Sequence, residues 1–105
     1  MQTGDQFYAR KLVNNILSRD YTISVNDGEE WTVVDSRLEA EIMDALMTTD
    51  EDIIKFKDPL DYKTLGNFYL VYGNDPSGKE VISDYTDNRI CDQIWQEVVG
   101  KELDL

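Results

Sequence analysis

The chain has 105 residues, 41% of them apolar and 10% aromatic, with 22 acids, 10 bases and a single cysteine. This length and composition suit one packed domain over residues 1–105, with residues 1–4 and 101–105 fraying, and they exclude a disordered chain and an internal disulfide framework. The formal net charge of −12 repels phosphates and acidic lipids, which argues against direct binding to nucleic acid or to a membrane.

Residues 5–19 read as an amphipathic helix. Tyr8, Leu12, Val13, Ile16 and Leu17 recur at helical spacing with polar residues between them. Thr3 and Gln6 fit a capping box at its start. Residues 20–35 read as a β-hairpin: Tyr21, Ile23 and Val25 alternate with polar residues, Asp27-Gly28 supplies a tight turn, and Glu30–Val34 returns. Trp31 and Val33 are expected on one inner face. Residues 36–47 read as a second helix with Leu38, Ile42, Ala45 and Leu46 as its stripe, and with Ser36 and Glu39 as a second capping box.

A third strand is expected over 53–57, with Ile54 and Phe56 on one face and Ile53, Lys55 and Lys57 on the other. Asp58-Pro59 ends it. The fourth strand, 67–72, is apolar on both faces and belongs inside the sheet rather than at its edge. "GNDPSGK" is a turn signal leading to a fifth strand over 80–85. The last helix is expected over 87–99, capped by Thr86 or Asp87, with Ile90, Cys91, Ile94, Trp95 and Val98 buried and Gly100 as its stop. The fold class is therefore α+β, in the order α-ββ-α-βββ-α. Hairpin-length connections cannot make parallel crossovers, so a mostly antiparallel five-stranded sheet packed by helices is expected.

The residue inventory says little for catalysis. With no histidine in the chain, the commonest general base and transition-metal ligand are missing. Cys91 falls on an apolar helix face and reads as a small core residue. Calcium loops starting at Asp50 or Asp27 fail, because Lys55 stands where the first needs a glycine and Trp31 where the second needs an oxygen ligand. "GNDPSGK" lacks the P-loop spacing. No enzyme activity, metal or cofactor is expected. No apolar run is long enough to span a membrane, and "MQTGDQFYARK" lacks the apolar middle of a signal peptide, so a cytoplasmic location is expected.

The charge is lopsided. From Asp20 to Asp61 there are 13 acids against Arg37, Lys55 and Lys57, whereas the other 63 residues hold 9 acids and 7 bases. Three groups of acids follow: the hairpin tip (Asp27, Glu29, Glu30), the second helix (Glu39, Glu41, Asp44) and the corner "DED" (Asp50, Glu51, Asp52). Read blandly, they are a solvated surface. Read functionally, they are a polyanionic surface that docks on the basic groove of a nucleic-acid-binding host protein, with carboxylates imitating phosphates. A second possibility is a structural or assembly protein joining copies through apolar contacts at Tyr62, Tyr69 and Trp95.

The strings "DGEEW", "ALMTTDED" and "FYLVYGND…EVISDY" (Asp27–Trp31, Ala45–Asp52 and Phe68–Tyr85) resemble a group of small proteins of phages and mobile elements. The resemblance covers somewhat under half the chain and leaves out the first helix. It carries no activity over to particular residues. It implies a phage origin, and with it an anti-defence inhibitor of the anti-CRISPR or anti-restriction kind.

Overall fold

The structure is a computed structural model, and it describes residues 4–73 and 76–100. Its elements follow the expected order. They are α1 (Gly4–Ser18), β1 (Thr22–Asn26), β2 (Trp31–Ser36), α2 (Glu39–Ala45), β3 (Glu51–Lys57), β4 (Thr64–Val71), β5 (Ile82–Tyr85) and α3 (Arg89–Trp95), which runs into a π-helical turn over Gln96–Gly100. The five strands form one sheet in the order β2-β1-β3-β4-β5, and every neighbouring pair is antiparallel. The chain is thus a single α+β domain. β4 is an interior strand, as its two apolar faces require, and β3 holds the middle.

One face of the sheet makes the core. Ile23, Val25, Ile54, Phe56, Phe68 and Leu70 are fully buried there beneath Leu12, Val13, Ile16, Ile42 and Ile94 of the helices. Rings continue this packing across the sheet. Tyr21, Phe56, Phe68, Tyr85 and Trp95 follow one another at centroid distances of 5.6 to 6.2 Å, within the range in which offset aromatic pairs attract. Gly66 lets β4 pass close under α3: a Cβ there would lie 2.4 Å from Cys91 Sγ.

The opposite face carries Ile53, Lys55 and Lys57 of β3 and Tyr69 and Val71 of β4, and it is only partly covered. Trp31 belongs to this open face, contrary to expectation. It pairs with Asn26, while Val33 pairs with Val25, and the register shift between those pairs breaks the alternation. A bulge adds one residue to one strand and reverses which side the next residue faces. Trp31 is 44% exposed, and Lys55 Nζ sits 4.3 Å from its ring centroid, a cation–π contact.

The caps also differ from expectation. Ser36 still belongs to β2, so α2 begins later, with Leu38 at the N-cap and no side-chain cap. Ser36 Oγ accepts instead from the Leu38 amide at 3.1 Å, and Glu39 pairs with Arg10 of α1. At α3 the cap is Asn88, which accepts from the Cys91 amide at 2.9 Å. Thr86 is occupied elsewhere, since its hydroxyl accepts from the Asn67 amide of β4. The capping box expected at Thr3, the middle of the "GNDPSGK" turn and the tail over 101–105 lie outside the described residues.

Candidate functional site

The hairpin tip is built from its own side chains. Asn26 Oδ1 accepts from the Gly28 amide at 2.8 Å, and Asp27 Oδ1 accepts from the Glu29 and Glu30 amides, both at 2.9 Å. Short polar side chains close turns in this way because they reach the backbone two residues on. Gly28 takes φ +103, a region open to glycine. The Glu30 and Glu29 amides together hold the Asp27 carboxyl below its ordinary range.

The tip meets the corner before β3. Thr49 Oγ1 lies 2.8 Å from the Asp27 carbonyl oxygen and 2.7 Å from that of Glu51. Its one proton serves one of them at a time: the bond to Asp27 ties the two loops, whereas the bond to Glu51 stays within the corner. Asp27, Gly28, Glu29, Thr49, Asp50 and Glu51 then line an open cleft of about 520 Å³. Four carboxylates border it, and none of these lining residues is basic. Glu30 is exposed beside them on the tip. This is the part of the expected acidic surface that the fold gathers.

The second helix is placed differently. α2 starts beside the far end of β2 and runs back, so that the Met47 amide beyond its C-terminus reaches Asp52. The C-terminal end of α2 thus lies by the start of β3, and Glu41 and Asp44 are exposed on the helix without lining the cleft. Glu39 sits at the other end of α2, in the ion pair with Arg10.

Asp52 is not a surface acid at all. It is 1% exposed. β3 begins at Glu51 rather than Ile53, and alternation then turns Asp52 inward with Ile54 and Phe56. Its Oδ2 accepts from the Met47 amide at 2.8 Å and from the Tyr72 hydroxyl at 2.5 Å. Its Oδ1 is buried with no donor among the described residues. Burial raises the Asp52 pKa, with the two hydrogen bonds opposing, and burial together with this carboxylate pushes the Tyr72 phenol up. The carboxyl holds the end of α2 against the sheet, and it is removed from the list of residues a partner could touch.

The other candidates separate too. Tyr62 is exposed on the β3–β4 loop, Tyr69 lies on the open face, and Trp95 stacks on Tyr85 on the helical side. These three do not share a surface. Cys91 is buried in the core, and burial pushes its thiol up to about 11, so it is no nucleophile at neutral pH. Among the described residues no three acids or cysteines stand where they could hold a metal ion, and no helix is long and apolar enough to cross a membrane.

A second cleft, of about 290 Å³, lies on the open face between Ile53, Tyr69, Val71, Ser83 and Asp84. Sequence reasoning placed Ile53, Lys55 and Lys57 on this face but gave the face no role. The signal was present in β3, where Glu51, Ile53, Lys55 and Lys57 alternate with the buried set. No protein-family model, curated protein or solved structure matches the chain.

Proposed function

We propose that this chain is a non-catalytic binding protein that docks its acidic end on the basic surface of a nucleic-acid-binding protein. The observation that carries the reading is the single cleft bordered by Asp27, Glu29, Asp50 and Glu51, fixed by the Thr49 tie. Loops already tied to each other need less ordering on docking than free loops do. A concentrated negative field also speeds encounter with a basic groove. In the sharper form of the reading the carboxylates stand in for phosphates. The chain then blocks the nucleic-acid channel of a host defence enzyme, of the CRISPR or restriction kind, in the cytoplasm of a cell entered by a phage.

The test is capture from bacterial lysate on the immobilised chain at low salt, followed by elution with double-stranded DNA. The expected result is a basic nucleic-acid-binding protein that DNA displaces and that raised salt releases. Retention of no such protein, or retention indifferent to DNA, would refute the phosphate-imitating form. Retention indifferent to salt would refute docking through charge.

A further inference from the structure

We infer that the open face of the sheet is a self-complementary surface on which two copies of this chain pair about a two-fold axis. The sheet's register sets one residue from every strand in a single cross-strand row: Trp31, Asn26, Ile53, Tyr69 and Asp84. The large apolar side chains Trp31, Ile53 and Tyr69 all lie in this row, and Trp31 and Tyr69 are 44% and 38% exposed. Charge is arranged oppositely on its two sides. Along β3 the open face reads Glu51, Ile53, Lys55, Lys57, so Glu51 lies on one side of the row and Lys55 on the other, with Lys57 beyond it paired to Asp35.

A two-fold axis laid along the row turns one copy over onto the other with its strands reversed. Ile53 then meets Ile53 and Tyr69 meets Tyr69. Glu51 of each copy meets Lys55 of the other, which makes the pair twice. An isologous interface demands this kind of self-matching. A face shifted along the strands would lose either the apolar match or the charge match. Aligned sheets pack at about 30°, which swings both edge strands apart, so that Asp84 on β5 and Trp31 on β2 move away from their counterparts and Ile53 and Tyr69 carry the apolar contact.

The size of the face sets the strength. Five strands about 4.8 Å apart and about 20 Å long present roughly 500 Å² in projection, below the roughly 800 Å² per partner of stable specific interfaces. The net charge of −12 on each copy opposes pairing, and salt screens that repulsion. The dimer is accordingly weak, and weaker still at low salt. Docking on a basic partner has the opposite salt dependence, and pairing on the open face does not require that docking.

The test is sedimentation equilibrium on the whole chain and on two charge reversals, Glu51→Lys and Lys55→Glu. Glu51 is exposed, Lys55 is half-buried against Trp31, and circular dichroism and the unfolding temperature check that each variant folds. In a Glu51→Lys dimer two lysines meet, and in a Lys55→Glu dimer two glutamates meet, so each variant alone should associate at least about tenfold more weakly than the parent chain. Mixed one to one they should pair with each other, because both contacts then join opposite charges. A parent chain that stays monomeric up to about 1 mM, where even a complex worth only about 4 kcal/mol would be populated, overturns the inference. So does a mixture that associates no better than its components.

Discussion

Asp52 shows most plainly how one side chain is governed by the strand that carries it. Its buried carboxyl keeps more protons in the folded chain than in the unfolded one between the ordinary value of 3.8 and its raised value. Stability from this group is therefore present at low pH and is lost as the pH rises through that window. Asp27 runs the other way, because its lowered pKa gives stability above 3.8 that disappears as the pH falls. Asp52→Asn keeps an acceptor for the Met47 amide and removes the buried charge. It should be as stable as the parent or more so at pH 7, with the gain shrinking on acidification. Asp52→Ala strands the Met47 amide and the Tyr72 hydroxyl and should cost about 1–3 kcal/mol. Urea melts of both variants from pH 3 to pH 8 check the two expectations. Gly66 offers a second case. Gly66→Ala forces a Cβ to 2.4 Å from Cys91 Sγ and 3.2 Å from Phe56 Cε1, an overpacking worth about 1–3 kcal/mol. Adding Cys91→Ala removes the clashing sulfur, so the double variant should be more stable than Gly66→Ala alone, which thermal melts of both decide. Asp52 was legible in principle: counting back by twos from Phe56 and Ile54 reaches it. Starting the strand at Ile53 hid it among the solvent-facing acids. The contact that requires Gly66 joins β4 to α3, and no spacing along the chain announces it.

Elements were easier to read than their ends or their mutual contacts. Amphipathic spacing revealed α1, and Asp27-Gly28 revealed the hairpin. The caps of α2 and α3 were misassigned, because capping residues compete with neighbouring strands: Ser36 stays in β2, and Thr86 bonds back to β4. Trp31 was misassigned because a bulge is not written in the alternation it interrupts. The acidic cleft depends on Thr49 reaching the Asp27 carbonyl, 22 residues away in sequence, and neither residue signals the other. That tie is testable at the scale of the two loops. Thr49→Val keeps the shape and deletes the hydroxyl. With a hydrogen bond worth about 1 kcal/mol lost, amide exchange at the tip should quicken roughly fivefold to tenfold while the core amides of β3 and β4 keep their protection. Equal acceleration everywhere would mean that Thr49 supports the whole domain rather than the tip.

Across the whole molecule, charge is sorted by position. Asp27, Glu29, Glu30, Asp50 and Glu51 gather at one end of the sheet, and the C-terminus of α2 approaches the same end. Arg37, Lys57 and Arg19 lie toward the other, where they pair with Asp20, Asp35 and Glu97. The excess of acids between Asp20 and Asp61 was visible in the sequence. That the hairpin tip and the corner would meet, while Glu39 and Asp52 would be taken up internally, depended on the sheet order. Salt should therefore act in two directions: it weakens docking of the acidic end on a basic protein and strengthens pairing of the open faces. The most direct measurement compares two reversed-charge chains in capture of the same basic nucleic-acid-binding protein at low salt. One carries Glu29→Lys, Asp50→Lys and Glu51→Lys in the cleft, and the other carries Glu39→Lys and Glu41→Lys on α2. Docking through the acidic end predicts that the cleft variant loses the captured protein and the α2 variant keeps it. Equal loss in both, or retention by the cleft variant, would contradict it.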